Sequence, residues 1–225
     1  MRQWFVLAAL SAGCSLASAQ SAVPPSGAVD KVAPAGMPLR AILPVFSQLV
    51  AFSYPQGFVP AFEAAKNGRY IQESVLKGEN VQSWSQMITV TGAKGLASHP
   101  EATPVRFAYG LAAGFRRACP DSFAGKGLGE FKLGGHEAFV SVISCGNVNA
   151  AAGGARSESM LLIVIKGEQD YYTLQWAERG DASTVPMSFD GAKWSGRLKQ
   201  LAPLALCPIV PGEAAPYPSC GPGLS

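Results

Sequence analysis

The sequence predicts an α+β fold, a single-domain αβα sandwich in which helices cover a mainly antiparallel sheet. Short segments rich in β-branched and aromatic residues dominate the chain, which is typical of strands. Two segments repeat their apolar residues at three- and four-residue steps, which is typical of helices. One pair of predicted strands is joined too closely for a parallel crossover, so these strands must run antiparallel.

The first twenty residues have the order of a secretory signal peptide. Arg2 precedes an apolar run that closes on Ala17-Ser18-Ala19, which predicts a leader over residues 1–19 with cleavage after Ala19. A second interpretation makes Cys14, in LSAGC, the lipidated first residue of a lipoprotein. The apolar run is shorter than the roughly 20 residues of a membrane-spanning helix, so we expect no stable membrane span. The protein is therefore expected in the periplasm or outside the cell.

The rest of the composition is that of one folded domain. Hydrophobic residues make up 48% of the chain and charged residues 15%, which excludes a disordered or coiled-coil protein. The formal net charge of +3 is too small to indicate nucleic acid as a partner. Residues 20–41 are rich in Pro, Ala, Gly and Ser, and we expect a flexible arm there. Residues 42–225 then form the α+β domain with a disulfide-closed C-terminal tail.

Cysteine spacing predicts two disulfides. Four cysteines follow the leader, and an even number in an exported chain favours pairing. Cys207 and Cys220 enclose a proline-rich segment that can form neither a helix nor a central strand, so we pair these two. Cys119 with Cys145 follows by elimination. Free buried thiols are the alternative.

The first half of the domain is predicted to be strands and turns. A strand over residues 48–53 ends at the turn sequence YPQG. A second strand covers residues 69–75, and a third covers residues 83–91, where β-branched residues and Trp84 dominate.

The predicted helix that follows begins and ends at clear signals. Thr103 is the N-cap, Pro104 takes the first helical position, and the helix runs to Ala118. A glycine-rich connection then leads into a strand over residues 137–145 and a flexible tip over residues 147–158.

A hairpin and a second helix complete the predicted domain. The apolar run MLLIVIK, residues 160–166, indicates a strand covered on both faces. Three residues then turn the chain into an antiparallel partner over residues 171–178. A last helix over residues 190–201 places Trp194, Leu198 and Leu201 on one stripe.

This order of elements resembles the PsbP-like fold. The resemblance covers residues from about 45 to 205 and includes the FSYPQGF strand and turn, the extended WSQMITVTG strand, the mid-chain helix and the closing helix. That fold is an αβα sandwich shared by photosystem accessory proteins and several exported bacterial proteins of unknown role. The resemblance implies an accessory or binding role, and the cysteine-closed tail is not part of the pattern.

The sequence contains no recognisable catalytic motif. It has no GxSxG elbow, P-loop, EF-hand loop or HExxH helix. His99 and His136 are isolated, and no cysteine spacing fits a metal site, so we expect neither metal nor cofactor. Carboxylates in or next to predicted strands leave a glycosidase-type pair as a hypothesis; they are Glu73, Glu79, Glu178 and Asp181.

Three aromatic residues are the candidate binding residues. If Trp84, Tyr172 and Trp176 share an exposed face of the sheet, their rings can bind a sugar, peptide or lipid. The alternative is that the rings belong to the core, and Trp176 at a two-residue step from Leu174 fits burial against a helix. The first functional hypothesis is thus a non-enzymatic accessory protein that binds an envelope protein or a small ligand through one sheet face or the disulfide-closed tail. The second is a hydrolase of envelope or extracellular polymers, with Glu73, Glu178 or His136 as acid-base groups.

Overall fold

A computed structural model describes residues 39–150 and 154–221. The predicted leader, Cys14 and residues 20–38 lie outside these described residues. Within them the chain forms ten strands and two α-helices in an α+β architecture. The strands are β1 (Leu39–Val45), β2 (Gln48–Tyr54), β3 (Phe58–Lys66), β4 (Arg69–Leu76), β5 (Gln86–Ala93), β6 (Phe123–Leu133), β7 (His136–Ala150), β8 (Gly154–Lys166), β9 (Tyr171–Asp181) and β10 (Ala205–Pro208). The helices are α1 (Pro104–Ala118) and α2 (Gly191–Leu201).

Seven strands form the central sheet in the order β3-β4-β5-β9-β8-β7-β6. Every neighbouring pair is antiparallel, including the predicted hairpin of β8 with β9. The middle of β8 is buried on both faces, as its continuous apolar run predicted.

Helix α1 covers one face of this sheet. The Thr103 hydroxyl accepts a hydrogen bond from the Arg106 amide at 3.2 Å, which is the predicted N-cap. Ala108 and Phe115 pack with Ile143 and Leu162 of the sheet in one apolar cluster. No helix in the described part of the chain is long and apolar enough to cross a membrane.

The opposite face carries a second, smaller sheet together with helix α2. Strands β1, β2 and β10 form this sheet, with β2 in the middle. Phe52 of β2 and Trp194 of α2 join the same core cluster as Leu161 and Leu174 of the central sheet. The C-terminal tail lies on the outer side of β2, where Cys220 packs against Leu49. Strand β2 is therefore buried on both faces.

Both predicted disulfides are present. Cys119 at the end of α1 is bonded to Cys145 in β7, and Cys207 in β10 is bonded to Cys220 in the tail. The first bond joins the helix to the central sheet. The second closes the proline-rich tail onto the small sheet.

Strands β1 and β10 of the small sheet were not predicted, and two strands of the central sheet were missed because they lie at its edges. The predicted glycine-rich connection is strand β6, and strand β3 occupies a segment to which the sequence assigned no element. Most residues of both strands are exposed, so neither strand shows an alternation of apolar and polar residues. The predicted tip over residues 147–158 is also wrong in part, because β7 extends to Ala150 and β8 begins at Gly154.

Two predicted boundaries also differ from the structure. Strand β1 begins at Leu39, three residues before the predicted start of the domain, because residues 39–41 pair with β2. Strand β5 begins at Gln86 instead of residue 83. Ser83 and Ser85 instead form a turn in which their amides donate to the Asn80 carbonyl and the Glu79 carboxylate.

Candidate ligand-binding groove

The three predicted aromatic residues do not share an exposed face. Tyr172 and Trp176 belong to the core cluster on the α2 side, with exposures of 0% and 5%. The Trp176 indole donates to the Gln86 side-chain oxygen at 2.9 Å, and its ring meets Phe58 edge to face. Neither ring therefore offers surface to a ligand.

Trp84 packs on the opposite side of the sheet. Its partly buried ring belongs to the α1-side cluster and lies 3.8 Å below the Arg179 guanidinium. Arg179 also donates to Glu158 at 3.1 Å. Burial raises the pKa of Glu158, and the charge of Arg179 offsets part of that increase. Trp84 thus covers a buried ion pair.

The candidate acid-base groups of the hydrolase hypothesis do not converge. Across the paired strands β4, β5 and β9, Glu73 lies level with Gln175, so both side chains are on the same face of the sheet. Glu178 is three residues further along β9, and its side chain therefore projects from the opposite face. His136 and Glu178 share one face, but eight residues of β7 separate their rows, which is about 26 Å. His136 lies instead near the Gln48 amide, at 3.4 Å.

The remaining carboxylates have structural surroundings. Glu79 accepts hydrogen bonds from the amide and hydroxyl of Ser85 in a turn, and Asp181 is exposed at the end of β9. Glu178 accepts hydrogen bonds from Lys193 and Arg197 of α2. Among the described residues, no cluster of His, Cys, Asp and Glu side chains can hold a metal ion.

An open groove lies between helix α1 and the edge of the central sheet formed by β6 and β7. We call it the α1 groove, and its volume is about 350 Å³. A cavity of this size lies within the range of small-molecule sites. Its lining residues are Ala108, Tyr109, Ala112, Ala113, Arg116, Phe123, Gly125, Lys126, Gly127, Phe139, Ser141, Val142 and Ile143.

Small residues keep the α1 groove open. Gly125 pairs with Ile143 and Gly127 pairs with Ser141, so the two glycines lie on the α1 side of edge strand β6. Without side chains they leave room above the strand, and the facing surface of α1 presents alanines. A Cβ atom on Gly127 would lie 3.0 Å from the Phe139 ring. The absence of a side chain on Gly127 therefore leaves the space that the Phe139 ring occupies.

Aromatic rings form the walls of the groove. Tyr109 stacks on Phe139 with 6.5 Å between ring centroids, and Phe123 lines the groove beside Gly125. Tyr109 is 66% exposed, although its ring is largely apolar. These walls suit an apolar ligand.

One polar side chain in the groove lining has no hydrogen-bond partner in the described part of the chain. Ser141 is 6% exposed, and its Oγ atom makes no hydrogen bond to any of the described residues. Buried hydroxyl groups are normally hydrogen-bonded, so an unpaired one in the lining of an open groove points to a missing acceptor or donor.

The charges around the groove are positive. Arg116 in the last turn of α1 lines the groove and makes no ion pair within residues 39–150 and 154–221. Lys126 also contributes to the lining, but its ammonium group lies 4.2 Å above the Phe189 ring. The lining contains no acidic side chain. The groove therefore favours an anion.

The groove was not predicted from the sequence. The signal in the sequence was the two-residue spacing of Gly125 and Gly127, which was interpreted as a flexible loop. In the structure both glycines lie on one face of strand β6, which therefore has no side chains there. Ser141 and Arg116 lie in segments correctly predicted as strand and helix. Their approach depends on how α1 crosses the sheet, which local sequence patterns do not encode.

No family model matches this chain, and no curated protein does. Among solved structures, the chain is similar to cyanobacterial PsbP from Synechocystis, at 10% identity and a TM-score of 0.40, over 77% of this chain and 93% of that one. It is also similar to LpqN, involved in cell envelope biogenesis of Mycobacterium tuberculosis, at 11% identity and a TM-score of 0.37, over 75% of this chain and 91% of that one.

A protein from Bacteroides thetaiotaomicron matches at 12% identity and a TM-score of 0.36, over 73% of this chain. This chain spans 46% of that protein's length. The PsbP-like fold that the element order resembles is thus represented among the matches. Overlays at these TM-scores carry no conclusion about function.

Proposed function

We propose that this chain is an exported, non-enzymatic binding protein whose binding site is the α1 groove. The observation that carries the proposal is the groove itself. Glycines on β6 and alanines on α1 leave a groove of about 350 Å³ beside stacked aromatic rings. Larger side chains at these positions would fill the space between α1 and the sheet. Apolar concave sites with a few polar groups are the usual form of small-ligand sites.

The composition of the groove supports binding over catalysis. Its lining includes no Asp, Glu, His or Cys side chain. A serine nucleophile needs a base within hydrogen-bond reach, and the Ser141 hydroxyl in the lining has no hydrogen-bond partner among the described residues. The Lys126 ammonium group lies over the Phe189 ring. The carboxylates named in the hydrolase hypothesis lie in turns, on opposite faces or in ion pairs with α2.

Export is supported by two independent features. The leader pattern over residues 1–19 is that of a secretory signal peptide. The two disulfides are compatible with a location outside the cytoplasm, since disulfides persist in oxidising compartments.

The test uses an uncharged fluorescent probe, N-phenyl-1-naphthylamine, whose emission rises in an apolar site. Ala112→Phe places a large ring in the groove, and it should weaken saturable probe binding by about tenfold or more. Gly110→Phe is the matched control on the same helix, because a Cβ atom there meets no atom within 4 Å. It should bind the probe like the wild-type protein.

Thermal unfolding of both variants establishes that each is folded. The proposal is wrong if the folded wild-type protein does not bind the probe saturably. It is also wrong if Ala112→Phe and Gly110→Phe bind the probe equally well.

A further inference from the structure

We propose that the ligand of the α1 groove is a single-chain amphiphile with an acidic head group, of which a medium-chain carboxylate is the simplest form. This inference rests on the proposed binding function and names the ligand class. It assigns the head group to Arg116 and Ser141 and the apolar chain to the aromatic walls.

The buried hydroxyl of Ser141 is the first step. Ser141 is 6% exposed and is one of the residues that line the groove, and its Oγ has no hydrogen-bond partner among the described residues. A hydroxyl in this position lowers the free energy of a ligand that brings an acceptor to it. An alkane alone leaves the hydroxyl unpaired.

Arg116 identifies the charge of that acceptor. Arg116 and Arg117 lie in the last turn of α1, where the helix carries about half a negative charge. The full positive charge of Arg116 exceeds that partial charge, and Arg116 lines the groove without an ion pair inside the described ranges. A carboxylate accepts hydrogen bonds from a guanidinium and a hydroxyl together.

The walls identify the rest of the ligand. The stacked rings of Tyr109 and Phe139 and the ring of Phe123 line the groove beside the bare backbone of Gly125 and Gly127. The volume of about 350 Å³ is near the lower limit for small-molecule sites. One unbranched apolar chain of modest length fits such a space, and a diacyl lipid exceeds it.

The experiment measures displacement of N-phenyl-1-naphthylamine by three amphiphiles that share a ten-carbon chain and differ in head group. They are decanoate, 1-decanol and decyltrimethylammonium, each used below its micellar concentration. In the wild-type protein, decanoate should displace the probe at about tenfold lower concentration than 1-decanol, because a charge-assisted hydrogen bond contributes that much discrimination. Decyltrimethylammonium should be the weakest.

Matched variants test the two assigned residues. Arg116→Gln should remove the preference for decanoate over 1-decanol, whereas Arg117→Gln removes the same charge from the same turn and should keep it. Ser141→Ala should weaken decanoate several-fold. All three variants should still bind the uncharged probe saturably, which shows that the groove is intact.

Three results would overturn the inference. These are equal displacement by decanoate and 1-decanol in the wild-type protein, stronger displacement by the cationic amphiphile, or a decanoate preference that survives Arg116→Gln. Probe binding without head-group preference contradicts this inference alone. Absence of saturable probe binding contradicts the proposed function as well.

Discussion

Asp170 connects the two sheets through a single buried carboxylate. It is 2% exposed and accepts hydrogen bonds from the Ser47 amide and hydroxyl and from the Gly95 amide. Ser47 lies in the turn of the small sheet, and Gly95 follows β5 of the central sheet. Burial by itself would raise the pKa of Asp170, but these hydrogen bonds outweigh it and hold the pKa below its ordinary value.

The close approach of the sheets beside Asp170 explains a buried glycine. A Cβ atom on Gly92 of β5 would lie 2.5 Å from a methyl carbon of Val45. The turn between β1 and β2 therefore packs directly on the backbone of β5. Ser47 reaches Asp170 because no side chain separates the two sheets at this point.

We predict that Asp170→Asn destabilises the protein by about 2–4 kcal/mol at neutral pH, because an amide cannot accept all of these hydrogen bonds and leaves buried donors unpaired. Urea unfolding measures the loss. Asp181→Asn, at the exposed end of β9, is the control and should change the free energy of unfolding by less than about 0.5 kcal/mol.

The comparison of the wild-type protein with Asp170→Asn also predicts how the stability difference changes with pH. A carboxyl with a lowered folded-state pKa stabilises the fold above its ordinary pKa, and that stabilisation is lost as the pH falls through the folded-state pKa. The stability difference between the wild-type protein and Asp170→Asn should therefore shrink below about pH 4. A difference that stays constant or grows on acidification would contradict this assignment.

Helix α1 is held at both ends by specific interactions. Thr103 caps its first turn, and Cys119 links its last turn to Cys145 of β7. Between them α1 contacts β7, β8 and β6 beside the open groove. The disulfide therefore fixes the helix where the lining residue Arg116 lies.

We predict different local effects from removing each disulfide. Replacing Cys119 and Cys145 by Ser should lower the free energy of unfolding by about 3.5 kcal/mol, and replacing Cys207 and Cys220 by about 3 kcal/mol, from sequence separations of 26 and 13 residues. Hydrogen exchange of the amides in the last turn of α1 should accelerate only in the first variant. Equal exchange in both variants would show that the first disulfide does not hold the helix.

The accuracy of the sequence predictions depended on where each element lies. Helices α1 and α2 were predicted to within one residue, because Thr103 and Asp190 are strong caps and the apolar stripes are regular. Strand β8 was predicted because burial on both faces makes its middle continuously apolar, and β9 was predicted because the short connection after β8 requires an antiparallel neighbour. Edge strands β3 and β6 were missed because exposed strands need no apolar pattern.

Tyr172 and Trp176 lie in the core, which was the alternative for the aromatic candidates, and Trp84 lies on the other side of the sheet. A two-residue period identifies which residues share a face only within one strand, and Trp84 precedes β5 instead of lying in it. The groove residues come from α1, β6 and β7, so their meeting is a property of the layers. The disulfides were predictable because four cysteines offer three pairings, and one pair enclosed a proline-rich segment.

At the scale of the whole molecule, the described residues form packed layers that two disulfide bonds connect. Helix α1, the central sheet, and the small sheet with α2 form successive layers, and the C-terminal tail covers the small sheet. The two disulfides join the first layer to the second and the tail to the third. The two disulfides are compatible with a location outside the cytoplasm.

Mass spectrometry of the protein isolated from the envelope of a Gram-negative host tests the leader. We predict a mature chain that begins at Gln20, because cleavage is expected after Ala19. An acylated chain that begins at Cys14 would establish the lipoprotein alternative. A full-length chain with its N-terminal leader intact and confined to the cytoplasm would contradict export.

The central claim is that the α1 groove binds a small acidic amphiphile. An NMR titration with decanoate that follows the backbone amide signals of the glycines tests this claim most directly. The ¹⁵N shifts of glycine amides fall in a separate region of the spectrum, and Gly125 and Gly127 line the groove. We predict saturable shifts at these two glycines, with Gly110 and Gly196 unchanged because open space surrounds both. Saturable shifts that spare Gly125 and Gly127, or no shifts at all, would contradict the account.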